Sequence, residues 1–196
     1  MFFIRPPNEA HLAELLARSQ DALLNYDDQG MTHPDNVHPL PPGFEVDQHS
    51  VVLGMGADMF ERCVTAMFNW QMYQNGWTFV APQQPPQKDA VHCVTVRHFG
   101  LYSVNPVRVV YRERSQTYAT FAVGALEGHV ERGEERFLLE LRGDGSVHFE
   151  ILAVSRPASP LVQLVAPLGR LVQQRFFKSA QALMQEAALE VSATRG

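Results

Sequence analysis

"EERFLLELRGDGSVHFEILAVS", Glu134 to Ser155, decides the fold. Two apolar, strand-like runs flank Gly143-Asp144-Gly145, a strong signal for a hairpin turn. Successive side chains on a strand point to opposite faces, so Phe137, Leu139 and Leu141 share one face, as do Val147, Phe149, Ile151 and Ala153. Arg136, Glu140, Arg142, His148 and Glu150 fall on the other. The pattern predicts an antiparallel sheet with one covered face and one wet face.

Working upstream, "VHCVTVRHF", "VRVVYRER" and "TYATFAVGAL" have the same strand character, separated by turn chemistry at Asn105-Pro106 and Gly128 to Gly133. Before them, "FEVDQHSVVLGMG" reads as a strand leading into the helix "ADMFERCVTAMFNWQMYQNG". That helix carries Phe60, Cys63, Val64, Met67 and Trp70 on one face and stops at Asn75-Gly76. Strand, G-x-G and helix in succession invite a dinucleotide reading. The motif fails because Met59 stands where the third glycine belongs, and no P-loop lysine follows.

At the start, Asn8 caps a helix expected over about residues 9–24, with Leu12, Leu15, Leu16 and Leu23 at helical spacing. Asn25 to Gly43 then holds four prolines and no apolar period. A loop this long is a functional cover or disordered, and His33 and His38 within it read as solvated. Downstream of the hairpin, Ser159 as cap and Pro160 at the first helical position open a long C-terminal helix. Its stripe is Leu161, Leu164, Leu168, Leu171, Val172, Phe176, Ala180, Leu183 and Ala187, with a bend expected at Pro167. Strands in a run with helices kept apart predict an α+β fold.

The chain has 196 residues, 45% of them hydrophobic, which suits one domain spanning 1–196: an N-terminal helix and proline-rich loop over 1–43, and a core over 44–196. A formal net charge of −5 argues against a nucleic-acid surface. No apolar run reaches the length of a membrane span, and the N-terminal residues lack a signal-peptide pattern. Cys63 and Cys93 form neither a metal set nor a disulfide framework and read as small buried groups. These features predict a soluble, cytoplasmic protein.

The element order resembles the helix-grip fold of the START and Bet v 1-like (SRPBCC) superfamily, in which a curved antiparallel sheet wraps a long C-terminal helix. A closer resemblance, over nearly the whole chain, is to the DUF1990 (UPF0548) family of bacteria and plants. It is carried by "NGWTFV", "NPVRVVY", "FAVGALEGHVERGEERF" and "AVSRPASP". Val123 and Ala125 depart from it, standing where an aromatic residue and a threonine are expected. The superfamily implies binding of a lipid-like, aromatic or polyketide-like molecule between sheet and helix, with enzymes as a minority branch. Function is not fixed by fold.

The stretch Phe121–Phe137 contains the chemistry-bearing residues Glu127, His129, Glu131, Glu134 and Glu135. One histidine in a glycine-rich turn does not make a zinc site, so no metal or cofactor is expected. His129 is the best acid–base candidate by its ordinary pKa. Glu135 shares parity with Phe137, so it points to the covered face and needs either a partner, with Arg108, Arg112 or Arg156 available, or a raised pKa. The first reading is a small hydrophobic ligand bound in a cavity walled by Trp70, Tyr111, Phe121, Phe137, Phe149 and Leu168, with polar contacts from His129, Glu135 and Ser155. The second is a cyclase-, hydrolase- or isomerase-like enzyme using the same cavity, with His129 or Glu135 as acid or base. The third is an interaction module with a filled core, for which a homodimer is one form.

Overall fold

The computed structural model describes residues 2–159, 163 and 166–189. Its strands are β1 (Phe2–Phe3), β2 (Glu45–Met55), β3 (Thr78–Ala81), β4 (Val91–His98), β5 (Leu101–Arg114), β6 (Tyr118–Ala125), β7 (Glu131–Leu141) and β8 (Ser146–Pro157). Its helices are α1 (Glu9–Ser19), α2 (Ala57–Phe68) and α3 (Ala166–Leu189), with a short 3-10 turn at Gln71–Tyr73. All pairings are antiparallel, in the order β2-β8-β7-β6-β5-β4-β3, and β1 adds to β5. The curved sheet carries α3 on its concave face, the helix-grip arrangement that the resemblance implied.

The parity of the hairpin explains the packing. Phe137, Leu139, Val147, Phe149, Ile151 and Ala153 are buried in one cluster with Phe176, Phe177, Ala180, Met184 and Ala188 of α3. Fully burying a side chain of this size stabilises by roughly 1.5–3 kcal/mol relative to leaving it exposed, so the strip of α3 facing the sheet fixes the helix there. That strip recurs at 177, 180, 184 and 188, and its phase extends back to Arg170 and Gln173. Leu168, at 46% exposure, and Leu171 therefore lie on the flank of the helix and leave the inward stripe. The expected Ser159–Pro160 start, with Leu161 and Leu164, rests largely on positions outside the described residues. Among those described, Gln163 is helical, with its N–H bonded to the Ser159 carbonyl at 3.0 Å, and Pro167 lies within α3.

Two boundaries move. The first helix is capped by Asn8, whose Oδ1 accepts from the His11 N–H at 2.9 Å, but it ends at Ser19. The sheet captures the chain beyond it, with Leu24 bridging Leu126 and the Asn25 N–H bonding to the Ala125 carbonyl at 3.0 Å. α2 stops at Phe68, and Trp70 turns left-handed with φ 59° while remaining buried. The G-x-G element is a structural joint. The β2–β8 register slips between Val52 and Gly54, a Cβ on Gly54 would lie 2.6 Å from Met59 Cε, and the Gly56 N–H bonds to the Gly145 carbonyl at 2.8 Å.

The face expected to be wet is partly sealed. Residues 25–44 cross it as a strap whose Tyr26, Met31 and Phe44 pack on Val154 and Leu152. Under the strap, Glu134 accepts from Tyr26 Oη (2.7 Å), Gly30 N (2.6 Å), Thr32 N (3.1 Å) and Thr32 Oγ1 (2.8 Å). Arg136 is only 7% exposed, donating to the Thr32 carbonyl at 2.6 Å and pairing with Glu150. Buried charges survive when paired or hydrogen-bonded: Arg136 is paired with Glu150, and Glu134 is held by four hydrogen bonds. His33 also belongs to the strap, with Nε2 3.0 Å from Glu113 and its ring edge-on to Tyr111, whereas His38 is exposed. Cys63 and Cys93 are free and buried, and burial raises each thiol to about 11.

Candidate functional site

One end of the concave face is polar. Register sets Asp47, Ala153, Glu135 and Val123 side by side across β2, β8, β7 and β6. One pair further toward the rim come Glu45, Ser155 and Gly133, and beyond them Glu131 opposite Pro157. One pair inward the row is His49, Ile151, Phe137 and Phe121, where the core begins. So the polar end grades directly into buried aromatic residues.

Glu135 is the central group here. It is half-buried, and its Oε2 accepts one hydrogen bond, 2.7 Å from the Tyr73 hydroxyl. Burial drives its carboxyl up to about 7, the Tyr73 bond pulls the other way, and the charge of Glu131 adds to the rise. None of the three arginines considered as partners reaches it. Arg108 donates to the Gln20 carbonyl at 2.7 Å, Arg112 lies over the Phe68 ring and bonds to the Pro86 carbonyl, and Arg156 is on the other face. Burial also raises Glu131, against a hydrogen bond from Ser155. Arg170 of α3 pairs with Glu45 at 2.6 Å and Asp47 at 3.5 Å.

His129 is held by its own turn, with Nδ1 2.9 Å from the Glu131 N–H and 3.0 Å from the Glu131 carbonyl. Burial lowers its imidazole to about 4, so it is neutral at physiological pH. Among the described residues, no three His, Cys, Asp or Glu side chains converge as a metal set.

Of the expected wall, Phe121, Phe137, Phe149 and Trp70 are buried on the concave side. Phe121 stacks on Phe137 with centroids 5.1 Å apart, and Trp70 meets Phe121 edge-on at 5.0 Å. Tyr73 lies 5.8 Å from Phe137 and 4.7 Å from Phe176, so rings fill the middle of the groove and the polar end lies beyond them. Tyr111 is on the opposite face, its hydroxyl 3.0 Å from Thr32 Oγ1. A bulge between Val109 and Tyr111 inverts the alternation that would have set Tyr111 beside Val107 and Val109. Ser155 and Glu135 come together in the polar end; Leu168 does not join them. Tyr73 and Arg170 were not legible as site residues. The helical phase counted back from Ala180 is the only signal that pointed to Arg170.

The family model described as "Domain of unknown function (DUF1990)" matches residues 25–182. A UPF0548 protein of Deinococcus radiodurans is 32% identical over 96% of this chain and 99% of its own. Among solved structures, TTHA0849 from Thermus thermophilus superposes with a TM-score of 0.55 at 10% identity, covering 76% of this chain and all of that one (100%). The di-domain ARO/CYC BexL from the BE-7585A biosynthetic pathway gives 0.50 at 12% identity, covering 76% of this chain and 51% of that one. These structures share the fold. By the family match and the near full-length relative, the chain belongs to the DUF1990 (UPF0548) family.

Proposed function

We propose that this protein binds a small, mainly apolar molecule carrying one hydrogen-bonding head group, seated at the polar end of the groove between the sheet and α3. The observation that carries the proposal is Glu135, a carboxyl where the polar end of the concave face meets the buried aromatic residues, with a single protein hydrogen bond among the described residues and its pKa raised to about 7. A carboxyl accepts at up to four lone-pair positions, so Tyr73 leaves most of its capacity for a ligand. Ligand sites combine apolar walls with a few convergent polar groups, and here Phe137 and Phe176 are the wall while Glu135, Tyr73 and Ser155 are the polar set.

The test is a panel of apolar molecules with one head group (1-decanol, 2-naphthol and decanoate), followed by amide NMR. A saturable response centred on Tyr73, Glu135 and Ala153, weakened at least about tenfold in Glu135→Gln, is the expected result. Absence of any saturable response across the panel counts against the proposal.

The pKa of Glu135 supports a second reading, acid–base chemistry on the same ligand, because a proton-transfer group works best when poised near the operating pH. In that reading Glu135 moves the proton and the neutral His129 shapes the turn. Turnover that follows a pKa near 7 and disappears in Glu135→Gln, with binding retained, distinguishes catalysis from binding alone.

A further inference from the structure

On the sheet face away from Glu135, the β7–β8 register sets Arg132 directly opposite Arg156. Like charges at directly opposed positions of an antiparallel pair repel. Neither is ion-paired: among the described residues, neither guanidinium has an Asp or Glu oxygen within 4.0 Å. Arg156 lies over the Phe44 ring, its guanidinium carbon 4.8 Å from the centroid, and its Nε is buried with no acceptor among the described residues. Asn25 Oδ1 is a second buried atom without a partner, while its Nδ2 is fixed by the Leu126 and Glu131 carbonyls.

These groups border one cavity of about 370 Å³ between the strap and the end of the sheet. Asn25, Tyr26, Pro41 and Phe44 wall it, Arg132 and Arg156 enter from the sheet, and Asp27, Asp28 and Glu127 also line it. A buried donor without an acceptor is costly, and two guanidiniums side by side match the oxygens of one oxyanion through paired N–H groups. The volume holds on the order of ten non-hydrogen atoms, by comparison with the share of a water molecule in the liquid.

We propose that this cavity is a second binding site, for a small polar molecule whose phosphate or carboxylate group is clamped between Arg132 and Arg156. Its hydroxyl or amino groups face Asp27, Asp28 and Glu127. The polar lining separates its ligand class from the apolar molecule proposed for the groove, and the two sites stand or fall independently.

The experiment follows the arginine Nε–H resonances of the whole chain during titration with inorganic phosphate, and separately with acetate, at ionic strength held constant with sodium chloride. Saturable shifts at Arg132 and Arg156, with Arg142 and Arg175 unmoved, are expected for at least one anion. The anion that saturates identifies the head group. Arg132→Gln and Arg156→Gln should each weaken that binding at least tenfold, while Lys178→Gln on α3 leaves it unchanged. No saturable shift with either anion, or the same linear drift at every arginine, overturns the proposal. The wild-type titration decides it even if a variant fails to fold.

Discussion

Glu135 and His129 pull the pH dependence of stability in opposite directions. Glu135 has its pKa raised from 4.5 to about 7, so the folded chain holds a proton that the unfolded chain gives up between those values. Its contribution is therefore fully present below about pH 4.5 and is lost as pH rises toward 7, amounting to about 3 kcal/mol at most. His129 is lowered from 6.5 to about 4, so the unfolded chain takes the extra proton and stability is lost as pH falls through that window. Over pH 4.5–6.5 the two slopes offset each other. Denaturant melts of wild type and Glu135→Gln should coincide near pH 4.5, and the variant should gain on wild type as pH rises to 8. Equal stabilities at both pH values would show that Glu135 titrates normally. Gly133 tests the same strand by size. It has φ 133°, and an added Cβ would meet the Val154 carbonyl oxygen at 2.0 Å. Gly133→Ala should cost about 3 kcal/mol or more in the same melts, and a cost below 1 would refute that close approach.

Among the elements, the strap over residues 25–44 is the one that sequence patterning described least well. Its prolines and lack of period marked it as either a functional cover or a disordered loop. Nothing in the alternation of β7 revealed that Glu134 and Arg136, on the face taken as wet, would be the groups it covers. Parity reports which side a residue faces, not what arrives on that side from 100 residues away. The concave assignment of Phe121, Phe137, Phe149 and Glu135 was legible because strict alternation carries it. Tyr111 was misplaced because one bulge resets that alternation without a glycine or proline to mark it. Glu134→Gln tests the strap directly: either amide orientation turns an NH₂ toward N–H or O–H donors that the carboxylate accepts. A loss of about 2 kcal/mol should speed exchange of the Gly30 and Thr32 amides about thirtyfold, with β4 amides unchanged. Uniform acceleration across the sheet would mean that the strap is not a separate unit.

At the scale of the whole molecule, the chain divides its sheet between two environments. The concave face buries aromatic residues against α3 and ends in a poised carboxyl; the convex face holds a charged network under the strap. The helix-grip order was legible because runs of strands followed by one long amphipathic helix have few ways to bury both apolar faces. The groove itself was not, since how far rings fill it depends on rotamers that Tyr73, Phe137 and Phe176 adopt together. No helix among the described residues is long and apolar enough to cross a membrane. The central claim is that the polar end of this groove holds a ligand through Glu135. Native mass spectrometry tests it most directly, on wild type and Glu135→Gln purified side by side after exposure to a total extract of hydrophobic cell metabolites. The account predicts a discrete added mass on the wild-type chain, identifiable after extraction and reduced at least about tenfold in the variant. A wild-type chain that carries no added mass, or one retained equally by both proteins, would contradict it.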